Sequence, residues 1–137
     1  MARYAILDTN VIIRHFKGHL SNPLDGFARR FVLRQSAVVV CELYRGARSR
    51  SAVKAIDALV RSSAEIWAPL SEDWLKAGRL VRAIGDDQGF DTHKRRELQN
   101  DCLIALTALR HGAVVLTGDI ADFRRIGRRV DVEVLEV

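Results

Sequence analysis

Cysteine is scarce in this 137-residue chain, and the two present, Cys41 and Cys102, each lie inside an apolar stretch. They form neither a metal-binding spacing nor a disulfide framework, so both are expected to pack as small hydrophobes and a reducing cytoplasm is the expected compartment. Long hydrophobic runs are missing too: nothing approaches the roughly 20 apolar residues that cross a bilayer. Met1-Ala2-Arg3-Tyr4 runs directly into a strand-like segment, which leaves no room for a signal peptide. No repeat at a solenoid period, no low-complexity tract and no composition shift interrupts the chain, so one domain over residues 1–137 is expected. There is no glycine-rich phosphate loop, no dinucleotide fingerprint and no Ser-His-Asp order with a nucleophile elbow. His15 and His19 are one helical turn apart, yet Gly18 interrupts that turn, and Phe16 stands where a metalloprotease would place glutamate.

What the chain has in excess is arginine. Net charge is +5 and the pI is about 9.8 despite 17 acidic residues. The arginines cluster at 29, 30 and 34, at 45, 48 and 50, at 95 and 96, and at 124, 125, 128 and 129. One such cluster is an ordinary solvated helix face; their sum points to a polyanionic partner, because guanidinium groups bind phosphate bidentately.

Strand-like and helix-like segments alternate. Residues 3–7 and 36–41 read as apolar strands covered on both faces, 65–68 as a shorter third, 113–117 as a fourth and 130–137 as an alternating edge strand. Helices are expected over Thr9–Phe16, Pro23–Leu33, Glu42–Arg48 and Ser51–Arg61. Others should run from Ser71 to just before Gly85, from Asn100 or Asp101 to Gly112, and over Phe123–Ile126. This alternation predicts an α/β chain, a three-layer α/β/α sandwich around a mostly parallel, roughly five-stranded sheet.

Against that frame, four acids take on meaning together. Asp8 closes the first strand, Glu42 follows the second, Asp101 opens a helix and Asp119 follows the fourth strand. Each alone is readable as a cap or turn residue. Together they gather carboxylates at the carboxyl edge of the sheet, where open parallel sheets place their crevice. Such carboxylates repel one another unless a cation or proton intervenes, and an all-oxygen set suits Mg²⁺ or Mn²⁺. Asp8-Thr9-Asn10 departs from the D-x-D-x-T pattern of aspartate-nucleophile phosphatases, since Asn10 and Ile12 replace the second Asp and the Thr.

Asp8-Thr9-Asn10-Val11-Ile12-Ile13, Val40-Cys41-Glu42-Leu43 with Gly46, Asn100-Asp101-Cys102-Leu103-Ile104-Ala105, and Leu116-Thr117-Gly118-Asp119 with Asp122-Phe123 together resemble, in order, the four motifs of a PIN domain. The size and layout are most similar to the VapC-type toxins of bacterial VapBC toxin–antitoxin pairs. Val40-Cys41 stands where Thr or Ser usually precedes the Glu, and Gly118 replaces the more familiar Arg or Asn. The resemblance implies a Mg²⁺- or Mn²⁺-dependent endoribonuclease whose acidic site is Asp8, Glu42, Asp101 and Asp119, with Asp122 as the alternative fourth acid and a helix cap otherwise. It also implies a cognate antitoxin chain and a homodimer.

Thr9 and Thr117 are expected to orient the ligands or a water through their hydroxyls, and Asn10 to fix the Asp8 turn. Arg45, Arg48, Arg50, Lys94, Arg95 and Arg96 are the expected RNA-backbone contacts. Two other functions fit the same residues: a non-catalytic RNA-binding module, and a DNA-directed nuclease.

Overall fold

The computed structural model describes residues 3–18 and 23–137, with side chains from Asp25 onward in the second stretch; His19 lies outside them. Five strands form one parallel sheet: β1 (Tyr4–Leu7), β2 (Val32–Ser36), β3 (Ile66–Trp67), β4 (Val114–Thr117) and β5 (Val134–Glu136). The helices of the described residues are α1 (Thr9–Phe16), α2 (Pro23–Arg30), α3 (Ala37–Gly46), α4 (Arg50–Ser62), α5 (Ser71–Gln88), α6 (Thr92–Arg110) and α7 (Ile120–Gly127).

The order across the sheet is β3-β2-β1-β4-β5. Successive residues Ala5, Ile6 and Leu7 of β1 and all four of β4 are buried. Alternate side chains of a strand point to opposite faces, so both faces are covered, as the three-layer expectation requires. Chain order runs outward from β1 through β2 to β3, then returns past β1 to β4 and β5. The reversal falls between β1 and β4, which pair through Leu7 and Leu116. Beyond their carboxyl ends lies the switch-point crevice of the sheet.

The second strand differs from expectation. Residues 37–41 belong to helix α3, and β2 is the mixed run Val32–Ser36 registered on Tyr4–Ile6. Ser36 ends β2 in an extended conformation, and its hydroxyl accepts hydrogen bonds from the Val38 and Val39 N–H groups. That cap starts the helix at once. Three valines in a row cost helix propensity, each well under about 1 kcal/mol. Burial of Val39, Val40 and Leu43 on one helical face outweighs it. Glu42 therefore sits inside a helix, not at a strand end. Cys41, on the opposite side, is exposed rather than packed; Cys102 is buried as expected.

Helix α2 stops at Arg30 rather than Leu33, β5 covers only Val134–Glu136, α7 begins at Ile120 rather than Phe123, and the boundaries of α5 and α6 moved as well. Helix α6 starts at Thr92, capped by the Asp91 carboxylate accepting from the Lys94 N–H at 2.8 Å, so Asp101 lies in its middle. Helix α5 continues through Gly85 and stops at Gly89, whose φ of 68° is left-handed. Gly85 serves close packing: a Cβ there would stand 2.7 Å from the Arg95 guanidinium carbon. The α5–α6 pair is also tied by Asp73, which accepts from the Leu70 N–H at 2.9 Å and from Arg110 at 2.8 and 3.0 Å.

Candidate acidic site

Asp8 leaves β1 in an extended conformation and caps α1, with its backbone N–H donating to the Leu116 carbonyl of β4 at 2.9 Å. The capping role and the site role thus coincide. One carboxylate oxygen accepts from the Thr9 N–H at 2.8 Å and the other from the Thr117 hydroxyl at 2.8 Å. Thr117, fully buried at the end of β4, also accepts from the Asp119 N–H at 3.0 Å. Its hydroxyl thus links the first and fourth motifs. The Thr9 hydroxyl donates to Glu42 at 3.0 Å, drawing α3 to the same point. The Asn10 carboxamide oxygen accepts from the Gly118 N–H at 3.0 Å and fixes the turn after β4. Thr9 and Thr117 thus hold acid oxygens through their hydroxyls, whereas Asn10 ties down the turn after β4 rather than the Asp8 turn.

Asp8, Thr9, Asn10 and Glu42 line a cavity of about 640 Å³ that also takes in Asp101, Asp119 and Asp122. Asp101 reaches it one helical turn past Glu97, on the polar face of α6. Its carboxyl is pushed up to about 9, first by burial and then by the charges of Asp8, Asp122, Glu42 and Asp119. Burial also raises Asp8, opposed by its bonds from Thr117 and Thr9. Glu42 is raised in the same way, opposed by Thr9 and by Arg45. Mutual repulsion among these groups is the mark of one shared electrostatic site.

The two candidates for the fourth acid differ sharply. Asp119 occupies the cap position of α7, is exposed, and makes no side-chain capping bond. Asp122 lies in the first turn of the same helix and is 4% exposed. Both of its oxygens are engaged, by Lys94 at 2.5 Å and Arg125 at 2.7 Å. Asp122 is thus an ion-pair centre held between two cations, though its charge still reaches Asp101, while Asp119 lines the cavity without such a partner among the described residues.

The basic residues divide as well. Arg45, Lys94 and Arg96 line the cavity, with His93, Glu97 and Asn100 beside them. Arg48 and Arg50 line a separate hollow with Lys54, at the turn between α3 and α4. Arg95 departs from the expected RNA-contacting set. Its side chain folds back over Gly85 to donate to the Phe90 carbonyl at 2.8 Å and to Asp86 at 3.0 Å. Helical periodicity from the Asp91 cap explains the split, because 93, 97, 100 and 101 share a face that 95 does not. Once the helix start is recognised, the same periodicity reveals Asn100, which sequence reading had not singled out as a site residue.

Among the described residues, no three His, Cys, Asp or Glu side chains are already arranged to hold a metal ion. The acids surround a cavity with oxygens held back by threonine hydroxyls. Their chemistry nonetheless fits a hard divalent cation: every donor is a carboxylate or hydroxyl oxygen, and such a cation would relieve the repulsion that raises the Asp101 carboxyl.

No curated protein sequence matches the chain. Solved structures do. VapBC2 from Rickettsia felis bound to a DNA fragment from its promoter has a chain 22% identical, with a TM-score of 0.71 and 98% of each chain covered. VapBC-1 from nontypeable Haemophilus influenzae gives 23% identity, a TM-score of 0.71 and 97% coverage of both chains. DNA-bound VapBC from Salmonella typhimurium gives 23% and 0.69, covering 99% of this chain and 98% of the other. At that identity the likeness concerns the fold. The sequence profile of the PIN domain matches residues 5–129, a span that includes all four acidic motifs, and the chain belongs to the PIN domain family.

Proposed function

We propose that this protein is a Mg²⁺- or Mn²⁺-dependent endoribonuclease, the VapC-type toxin of a toxin–antitoxin pair acting in the cytoplasm. The observation that carries the reading is the cavity itself: Asp8, Glu42, Asp101 and Asp119 face one space whose rim holds Arg45 and Arg96. A basic rim draws in a polyanion that the acids alone would repel. The fold shared with VapBC complexes supports an antitoxin partner, and the homodimer rests on the family resemblance alone. Among the described residues, no helix is long and apolar enough to cross a membrane.

Asp8 and Asp101 would hold the principal cation, with Glu42 and Asp119 completing the site. When bound, the cation supplies a more acidic water and offsets the charge developing on the phosphate oxygens. The protein's own part is positioning. Thr117 aims Asp8, Thr9 aims Glu42, and Asn10 holds the Gly118 turn that presents Asp119. Arg45 and Arg96 orient the phosphate backbone. Lys94, paired with Asp122, offsets part of that acid's charge.

Purified protein incubated with total RNA, with and without Mg²⁺ or Mn²⁺, should yield new ends only with metal, and Asp8→Asn should yield none. Independently of turnover, either ion at a hundred times its dissociation constant should stabilise the wild type by about 2.7 kcal/mol. Asp8→Asn should show a far smaller shift. A wild-type melting curve indifferent to both ions at millimolar levels would favour the non-catalytic RNA-binding module instead.

A further inference from the structure

Helix α7 carries charge away from the acidic cavity in an ordered sequence. Asp119 stands at its cap, Asp122 in its first turn, Arg125 one turn on, Arg128 at its C-terminal cap and Arg129 just beyond. Positions three and four apart share a helix face. Asp122 and Arg125 thus share one face of α7, and Arg128 and Arg129 follow at its C-terminal end. At the far end lies a second hollow of about 270 Å³, lined by Arg125, Arg128 and Arg129 and, from α5, by Ile84, Asp87 and Gln88. Arg125 belongs to both places: it lines this hollow and donates to Asp122, which lines the acidic cavity, at 2.7 Å.

The charges of this hollow are uneven. Arg125 is engaged by Asp122, and one further carboxylate, Asp87, shares the hollow. Some arginines of the chain are committed to acids, among them Arg95 to Asp86, Arg110 to Asp73, and Arg124 to Glu136 at 3.9 Å. Arg128 and Arg129 make no ion pair with any described residue, and both are exposed. Two unpaired guanidiniums beside a third, on a concave surface, form a ready set of donors to phosphodiester oxygens.

We propose that this α7 hollow binds the backbone of the single-stranded RNA whose scissile phosphate enters the acidic cavity, so that the strand leaves past Asp122 and over Arg125, Arg128 and Arg129. The proposal rests on the ribonuclease reading above. It assigns the chain a second phosphate-binding subsite and a direction for the substrate across the surface. Lys94 and Arg125 both lie over the Phe90 ring, at 5.5 and 5.4 Å from its centre, and mark the ridge the strand would cross.

The test uses the wild type, the double variant Arg128→Gln/Arg129→Gln, and a control of equal charge loss, Arg61→Gln/Arg79→Gln, remote from α7 in sequence. Binding of a single-stranded RNA of about twelve nucleotides is titrated with salt in EDTA, where no cleavage occurs. Two lost phosphate contacts should lower the slope of log K against log salt by about 1.4, at about 0.7 per contact on single strands. The control should leave the slope unchanged, and a trinucleotide that fills only the acidic cavity should bind the wild type and the α7 variant alike. Wild-type binding with an unaltered slope in the α7 variant would overturn the subsite and leave the ribonuclease reading standing. An equal fall in the control would also overturn it, by showing a diffuse charge effect. Failure of the wild type to bind RNA even at low salt would remove the ribonuclease reading itself.

Discussion

Deleting one charge from the acidic cavity should make the metal-free protein more stable, and Asp101 is where the gain is greatest. Burial and the neighbouring acids lift its carboxyl from 3.8 in the unfolded chain to about 9 in the fold. Between those values the folded state holds a proton that the unfolded chain has released. Stability therefore falls as pH rises from 3.8 and stops falling only above about 9. At pH 7 about three units of that span have been crossed, each worth about 1.4 kcal/mol, which sets a ceiling near 4 kcal/mol. The cavity is open to water and Lys94 stands nearby, so about half of the ceiling is expected. That is roughly 2 kcal/mol, or near 8 °C for a domain of this size. Asn keeps the shape of Asp and cannot ionise. Thermal melts in EDTA from pH 5 to pH 9 should show the wild type weakening steadily, the Asp101→Asn variant much flatter, and the gap widening with pH. Saturating Mg²⁺ should narrow it, because the variant lacks a ligand. Parallel curves, or a variant less stable than the wild type at pH 8, would refute the reasoning.

Thr117→Val should cost about 1–3 kcal/mol in urea unfolding, since it strips a buried Asp8 oxygen and the Asp119 N–H of their shared partner. Retained stability would show that the hydroxyl is dispensable. Asp73→Asn should lower stability at neutral pH, because Arg110 holds that carboxyl below its usual range. Its contribution is present above pH 3.8 and is lost as pH falls through the lower folded value, so wild type and variant should converge in acid. Arg95→Ala should reduce the melting temperature through its lost bonds to Phe90 and Asp86, while leaving the salt dependence of RNA binding unchanged. A flatter salt dependence would return Arg95 to the RNA-contacting set.

Sequence periodicity identified β1 and β4 because both are short apolar runs covered on two faces, and the acids that follow them fell where expected. It misplaced β2 because Ala37-Val38-Val39-Val40-Cys41 has strand composition, whereas the helix is set by the Ser36 cap and by burial at 39, 40 and 43. The capping hydroxyl was visible in the sequence; the tertiary burial that decides against strand was not. Glu42 reached the site all the same, one and a half turns into a helix. Asp101 likewise arrives from mid-helix, since the true start at Asp91 lay behind a polar segment without an apolar stripe. The preference for Asp119 over Asp122 came from nearness to the strand end. The structure adds what spacing could not: Asp122 is committed to Lys94 and Arg125.

The hydrogen bond from Thr117 to Asp8 joins residues 109 positions apart. No local segment can form it early, because loop closure over that length must come before the contact that rewards it. β4 sits between β1 and β5 in the sheet, so a chain still being synthesised lacks both the Thr117 hydroxyl and the Asp119 carboxylate until most of it has emerged. A growing chain bearing Asp8, Glu42 and even Asp101 thus has no assembled cavity. If the finished protein attacks RNA, the wiring of its sheet keeps it harmless to the ribosome making it until synthesis has passed Asp119.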